Sequence, residues 1–161
     1  MSEKSGGALQ REIGQTKPFR SAAQEATISI LRTADVVRRR LIEVVEPYGI
    51  TLQQYNVLRI LRGAHPDPLP TLEIGERLIE RMPGITRLLD RLEEKSLVRR
   101  ERCTDDRRLV HCWITAAGLD LLGTMDDAVD RADDAGVGEL AGDEIEALAA
   151  LLERVRRGSR S

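Results

Sequence analysis

Apolar residues recur along this chain every three or four positions in successive stretches, and at one place the period changes. Ile30, Ala34, Val37, Leu41, Val44 and Tyr48 step by four and three. That narrow seam predicts a helix that packs on a partner helix. It opens at Ser21-Ala22-Ala23-Gln24, a capping-box pattern, and runs to Glu46, before Pro47. Thr51-Leu52-Gln53-Gln54 is a second capping box, opening a helix with Tyr55, Val57, Leu58, Ile60 and Leu61 that ends at Gly63. Three prolines between Ala64 and Pro70 predict a loop. Thr71 is expected to cap a short helix over about Leu72 to Ile79. The next helix spans about Pro83 to Lys95, with Pro83 in the first turn and Ile85, Leu88, Leu89 and Leu92 inward. Then comes strand, charged turn, strand: near Val98–Cys103, across Asp105-Asp106-Arg107-Arg108, and near Leu109–Ile114. Thr115 caps a long helix from about Ala116 to Ala135, striped with Leu119, Leu122, Met125 and Val129 and broken by Gly136 and Gly138. A last helix, about Asp143 to Arg157, carries Ile145, Leu148, Leu151 and Val155 on one side.

The fold class expected is therefore mainly α with a small antiparallel β wing. The polar stretch 1–20, with Gly6-Gly7, Gly14 and Pro18, reads as a flexible N-terminal arm. Residues 21–50 and 116–157 read as N- and C-terminal dimerisation helices flanking a domain over 51–115, because apolar seams at both chain ends suit a second copy. With one Phe, one Trp and two Tyr, the core must be built from aliphatic residues. The net charge of −2 hides a division: 77–108 holds ten Lys/Arg against seven Asp/Glu, whereas 126–153 holds ten acids and one Arg. Local positive charge over an acidic remainder is compatible with nucleic-acid binding, since only the contacting surface must neutralise phosphates. No apolar run reaches membrane-span length and no signal-type segment opens the chain, so a cytoplasmic protein without membrane association is expected. Nucleophile–base pairs, phosphate loops and metal-ligand sets are not evident. The reading is accordingly not an enzyme, with no cofactor and no metal.

Two helices followed by a two-stranded wing form an arrangement that lays one helix in a DNA major groove and an arginine in the minor groove beside it. Here the residues resemble the MarR family of winged-helix transcriptional regulators over about Ala22 to Arg157. The wing motif of that family matches Asp106-Arg107-Arg108 followed by Ile114-Thr115-Ala116-Ala117-Gly118. Ile85-Thr86-Arg87-Leu88-Leu89-Asp90-Arg91-Leu92-Glu93 is similar to its recognition helix. The chain departs from the pattern at Ile79-Glu80 and Ser96, where the family usually has Gly, and at Met82-Pro83-Gly84. Either Ser96 adopts a left-handed cap at some cost, or that helix end is shaped differently.

The resemblance implies a winged helix-turn-helix regulator that binds double-stranded DNA as a homodimer, at a near-palindromic operator, most simply as a repressor relieved by a small ligand. With Ile85, Leu88, Leu89 and Leu92 inward, Gly84, Thr86, Arg87, Asp90 and Arg91 are left for DNA. The alternative is that Arg87 and Arg91 are solvated or paired with Asp90 and Glu94. In the wing, Arg108 is the candidate for minor-groove insertion, with Asp106 holding its guanidinium. Arg107 is a candidate phosphate contact, and so is Thr71 beside its capping role. Tyr48, Tyr55, His65 and Trp113 are candidates to border a cleft for a small aromatic or anionic ligand, each having a plain core or hinge role as its alternative. Cys103 and Cys112, nine apart, would face each other across the hairpin if the turn centres near Arg107-Arg108, which leaves a redox-sensing regulator open beside simple half-buried thiols. A winged-helix protein–protein docking module also stays open.

Overall fold

The computed structural model describes residues 7–80, 83–104, 106 and 108–158. Its elements run α1 (Ala8–Glu12), α2 (Ala22–Val45), α3 (Leu52–Ala64), β1 (Leu69–Pro70), α4 (Thr71–Arg77), α5 (Ile85–Glu94), β2 (Val98–Arg102), β3 (Val110–Ile114), α6 (Ala116–Val137) and α7 (Gly142–Gly158), with a 3-10 turn over Glu46–Tyr48. Two compact units result, one up to Arg40 and one from Leu41, and α2 crosses the boundary between them.

In the first unit, the stretch expected as a flexible arm carries the short helix α1. The Glu12 carboxylate accepts from the Arg32 Nε at 2.7 Å. Ser21 caps α2 as expected, its Oγ accepting from the Gln24 amide at 3.1 Å. The return bond differs from a true capping box, since Gln24 Oε1 accepts from the Arg20 N–H.

The second unit is organised around α3, whose residues Gln54 to Leu58, Ile60 and Leu61 are all buried. At Thr51 the full capping box forms: Oγ1 accepts from Gln54 N at 3.2 Å and Gln54 Oε1 from Thr51 N at 3.0 Å. Ile74 from α4 and Leu78 just after it, Leu89 and Leu92 from α5, Val98, Cys112 and Ile114 from the sheet, and Leu122, Met125 and Val129 from α6 complete one core with it. Between α3 and α6, Arg62 Nη1 donates to both Asp126 carboxylate oxygens at 2.8 and 2.9 Å.

The hairpin expected as two strands is part of a three-stranded antiparallel sheet in the order β1-β3-β2. β1 pairs Leu69 with Cys112 and Pro70 with His111, inside what the prolines predicted to be only loop. Thr71 is not a helix cap. Pro70 holds the cap position of α4, and the Thr71 hydroxyl donates to the Val110 carbonyl at 3.2 Å, lying 3.5 Å from the Cys112 sulfur. α5 starts at Ile85, so Pro83 precedes the cap rather than occupying the first turn; the cap is Gly84, at φ 98°.

Ser96 adopts the left-handed conformation, at φ 58°. Its N–H reaches Glu93 O at 2.8 Å and the Leu97 N–H reaches Leu92 O at 3.0 Å, the Schellman pattern, with Leu92 and Leu97 both buried. At the other end of the wing Thr115 caps α6, accepting from Gly118 N at 3.1 Å. Gly118 is there because the backbones touch: a Cβ on it would lie 2.4 Å from Leu97 O and 2.7 Å from Ile114 Cγ1. α7 buries none of its residues, leaving Ile145, Leu148 and Leu151 between 37% and 54% exposed. No helix among the described residues is long and apolar enough to cross a membrane.

Candidate nucleic-acid interface

The outward face of α5 follows from its inward one. Leu89 and Leu92 are fully buried and Ile85 and Leu88 pack against the core, which turns Thr86, Arg87 and Arg91 to solvent. The tight left-handed turn at Gly84 brings the chain into the helix start, a conformation that disfavours any side chain. Among the described residues neither Arg87 nor Arg91 has an ion-pair partner, so the alternative pairing with Asp90 and Glu94 does not form.

Asp90 is committed elsewhere. Its Oδ1 accepts from Arg100 Nη2 at 2.6 Å, and Glu93 Oε2 accepts from the same nitrogen at 2.6 Å and from Arg100 Nε at 3.0 Å. Glu93 Oε1 also takes the Arg100 backbone N–H at 3.1 Å. The Glu93 hydrogen bonds hold the Arg100 pKa above the ordinary guanidinium value, against a smaller opposing effect of burial. Asp90, expected to be left for DNA, thus also braces α5 to β2 through Oδ1, while its side chain stays 48% exposed. Arg100 escaped the sequence reading. The signal was its parity, since it shares the inward face with Val98, where a charge needs a partner.

At the wing tip the Arg108 side chain is 95% exposed. Asp106 forms a loose ion pair with its guanidinium, Oδ1 standing 4.0 Å from Nε, and the same oxygen accepts the Arg108 backbone N–H at 3.0 Å. Asp106 thus shapes the turn from which Arg108 projects. Arg107 lies outside the described residues. Two hollows flank α5. One, of about 320 Å³, is lined by Thr71, Leu72, Thr86, Arg100, Arg108 and Val110 among others. The other, of about 550 Å³, is lined by Pro83, Gly84, Arg87, Leu88 and Arg91.

Tyr48, Tyr55, His65 and Trp113 sit in four separate settings. Tyr55 is a core residue whose burial raises its phenol pKa. Tyr48 donates to the Thr124 carbonyl at 3.3 Å, and His65 is exposed at the end of α3. Trp113 lies on the outer face of the sheet, with the Arg99 guanidinium 4.2 Å from its ring centre and His111 against its edge. The cysteines do not face each other either. Strand register sets Cys112 opposite Arg100, while the Cys103 N–H reaches Leu109 O, three residues further along. Cys112 is buried, and its thiol is pushed up by burial.

A family model described as MarR family matches residues 50–110, the span from the start of α3 into β3. A crystallised MarR transcription factor from Planctomyces limnophilus is 39% identical, covering 84% of this chain and 98% of its own at a TM-score of 0.66. The HTH-type transcriptional regulator MhqR of Bacillus subtilis is 29% identical over 113 residues, 69% of this chain and 75% of that protein. A mutant MarR from E. coli, solved in complex with operator DNA, shares the fold at 24% identity and a TM-score of 0.73, over 93% of this chain and 99% of that one. An exposed basic helix, an arginine-tipped wing and a 39% identical relative across nearly its whole length lead to one conclusion: this chain belongs to the MarR family of transcriptional regulators.

Proposed function

We propose that this protein binds double-stranded DNA as a homodimer, at a near-palindromic operator, and represses transcription there. The observation that carries the reading is the set of guanidinium groups Arg87, Arg91 and Arg108, held in the open on α5 and the wing tip. α5 enters the major groove, with Thr86, Arg87 and Arg91 toward base edges and phosphates, and Arg108 enters the adjacent minor groove. Gly84 lets the helix start approach the backbone closely. Dimerisation is supported by exposed apolar side chains on terminal helices: Leu31 on α2, and Ile145, Leu148 and Leu151 on α7. A dimer presents two recognition helices to half-sites about one helical turn apart.

Relief by a small aromatic or anionic ligand belongs to the same proposal. The hollow between Thr86 and Arg108 is the place where an occupant would touch helix and wing at once.

The test is selection of fragmented genomic DNA on the purified protein, followed by sequencing. Enrichment of a near-palindrome is the expected result. Arg108→Ala should weaken binding to that duplex by about 1–3 kcal/mol and leave the melting temperature unchanged. No enrichment by folded protein, or an Arg108→Ala variant that binds like wild type, would overturn the reading.

A further inference from the structure

Arg99, Arg102 and Arg108 of the wing are exposed, whereas the Arg100 side chain is only 19% exposed. Its Nε and Nη2 are both engaged by carboxylates of α5, and Glu93 holds its backbone N–H as well. Those carboxylates are not themselves withdrawn from solvent, the Asp90 side chain being 48% exposed and that of Glu93 40%. Asp90 lies one turn after Thr86 on the same flank of α5, and both Thr86 and the Asp90 partner Arg100 line the hollow shared with Arg108. Two acids and one guanidinium leave a local charge of −1; without Arg100 it would be −2, on the surface assigned above to a polyanion.

We propose that Arg100 serves DNA binding at one remove: it masks Asp90 and Glu93 from the phosphate backbone, rather than contacting phosphate itself. The proposal rests on the DNA-binding reading and says how one more residue serves it. The physical reason is that a helix in one groove and a wing in the next straddle a sugar-phosphate strand. Uncompensated carboxylates at their junction oppose that strand by like-charge repulsion, which is costly where water is excluded. Arg suits the task where Lys does not, because its planar fork reaches both carboxylates at once.

The experiment measures affinity for the duplex enriched by the wild-type protein, by fluorescence anisotropy over a range of salt concentrations. The proteins compared are full-length wild type, Arg100→Met, the pair Asp90→Asn with Glu93→Gln, and the triple variant. Arg100→Met is expected to bind about tenfold more weakly or worse. The triple variant, which lacks both the cation and the charges it masks, should return to about wild-type affinity. Arg100→Lys, which keeps a charge but not the fork, gives a second variant that should fold: it too should bind more weakly and be restored by adding Glu93→Gln. A direct phosphate contact predicts otherwise, with no recovery in the triple variant and a salt slope lowered by about one in every Arg100→Met protein; that result would overturn the masking role. So would an Arg100→Met protein that melts earlier yet binds normally. If wild type enriches no duplex, both the DNA-binding reading and this proposal fall, whereas wild-type binding without rescue removes only the latter.

Discussion

Gly118→Ala separates what local helix preference says from what packing says. Gly118 is in the first turn of α6, and there helix propensity alone would make alanine more stable by up to about 1 kcal/mol. The structure reverses the sign. The added methyl would stand 2.4 Å from Leu97 O and 2.7 Å from Ile114 Cγ1, well inside van der Waals contact. Neither neighbour is free to retreat. Leu97 O accepts the Thr115 N–H at 3.1 Å, its own N–H closes the end of α5, and Ile114 pairs with Val98 in the sheet. Relieving the overlap means shifting β3 against the end of α5, at a cost of about 1–3 kcal/mol for overpacking and about 1 kcal/mol for a weakened hydrogen bond. Set against the propensity gain, the net is a destabilisation of about 1–3 kcal/mol. For a chain of this length each kcal/mol lowers Tm by about 2–4 °C. Gly123→Ala is the internal control, since it lies in the same helix with nothing within 4 Å of its added methyl, and should be neutral or stabilising. Thermal unfolding at one fixed protein concentration compares the three proteins. If Gly118→Ala melts at or above wild type, or if the two variants shift alike, the close approach is not what places glycine there.

Other expectations follow from the cysteines and the acidic end of α6. A thiol reagent added to native protein should label Cys103 well before Cys112, because Cys112 is buried and its thiolate is disfavoured there; equal rates would show that the wing opens readily. Asp133→Asn should raise stability slightly at neutral pH, because partial desolvation first, then Asp130 and Asp134, push the carboxyl pKa of this exposed residue upward in the folded chain. The sign is that of an acid ionised less easily folded than unfolded. Its favourable contribution is complete below the unfolded carboxylate value and is lost as pH rises through the raised folded one. The gain from Asn, measured by denaturant unfolding, should therefore shrink as the pH is lowered through that window. A gain that grows on acidification would refute the assignment.

What could be read from sequence was what depends on near neighbours. The caps at Thr51 and Thr115 were legible because donor and acceptor lie three residues apart, and the left-handed Ser96 because it stands where the resembled family usually has Gly. The basic face of α5 was legible from the spacing of its leucines. The misses share a cause, which is pairing between elements. β1 was hidden because Pro66, Pro68 and Pro70 argue against a strand, and it forms only because β3 offers an open edge. The hydroxyl of Thr71 looked like a cap until that same pairing drew it to Val110. The Arg100 contact to Asp90 was hidden because a helical projection of α5 contains no β2. Cys103 and Cys112 appeared to be opposed because the register turns about a different centre from the one assumed, and one such offset changes every partner along the hairpin.

The three-stranded sheet also bears on how this molecule avoids its own copies in the wrong way. Any small open sheet offers two rows of unsatisfied backbone groups, each a template for runaway strand addition. β1 ends one side after two residues, one of them a proline that has no N–H to offer. β2 guards the other with Arg99, Arg100, Glu101 and Arg102 in succession, the first and third of them ion-paired to each other. The charges on β2 therefore act against fibril-like stacking when the protein is concentrated, whatever else they contact. Variants that trim the wing's arginines should be checked for aggregation before a lost signal is ascribed to lost recognition.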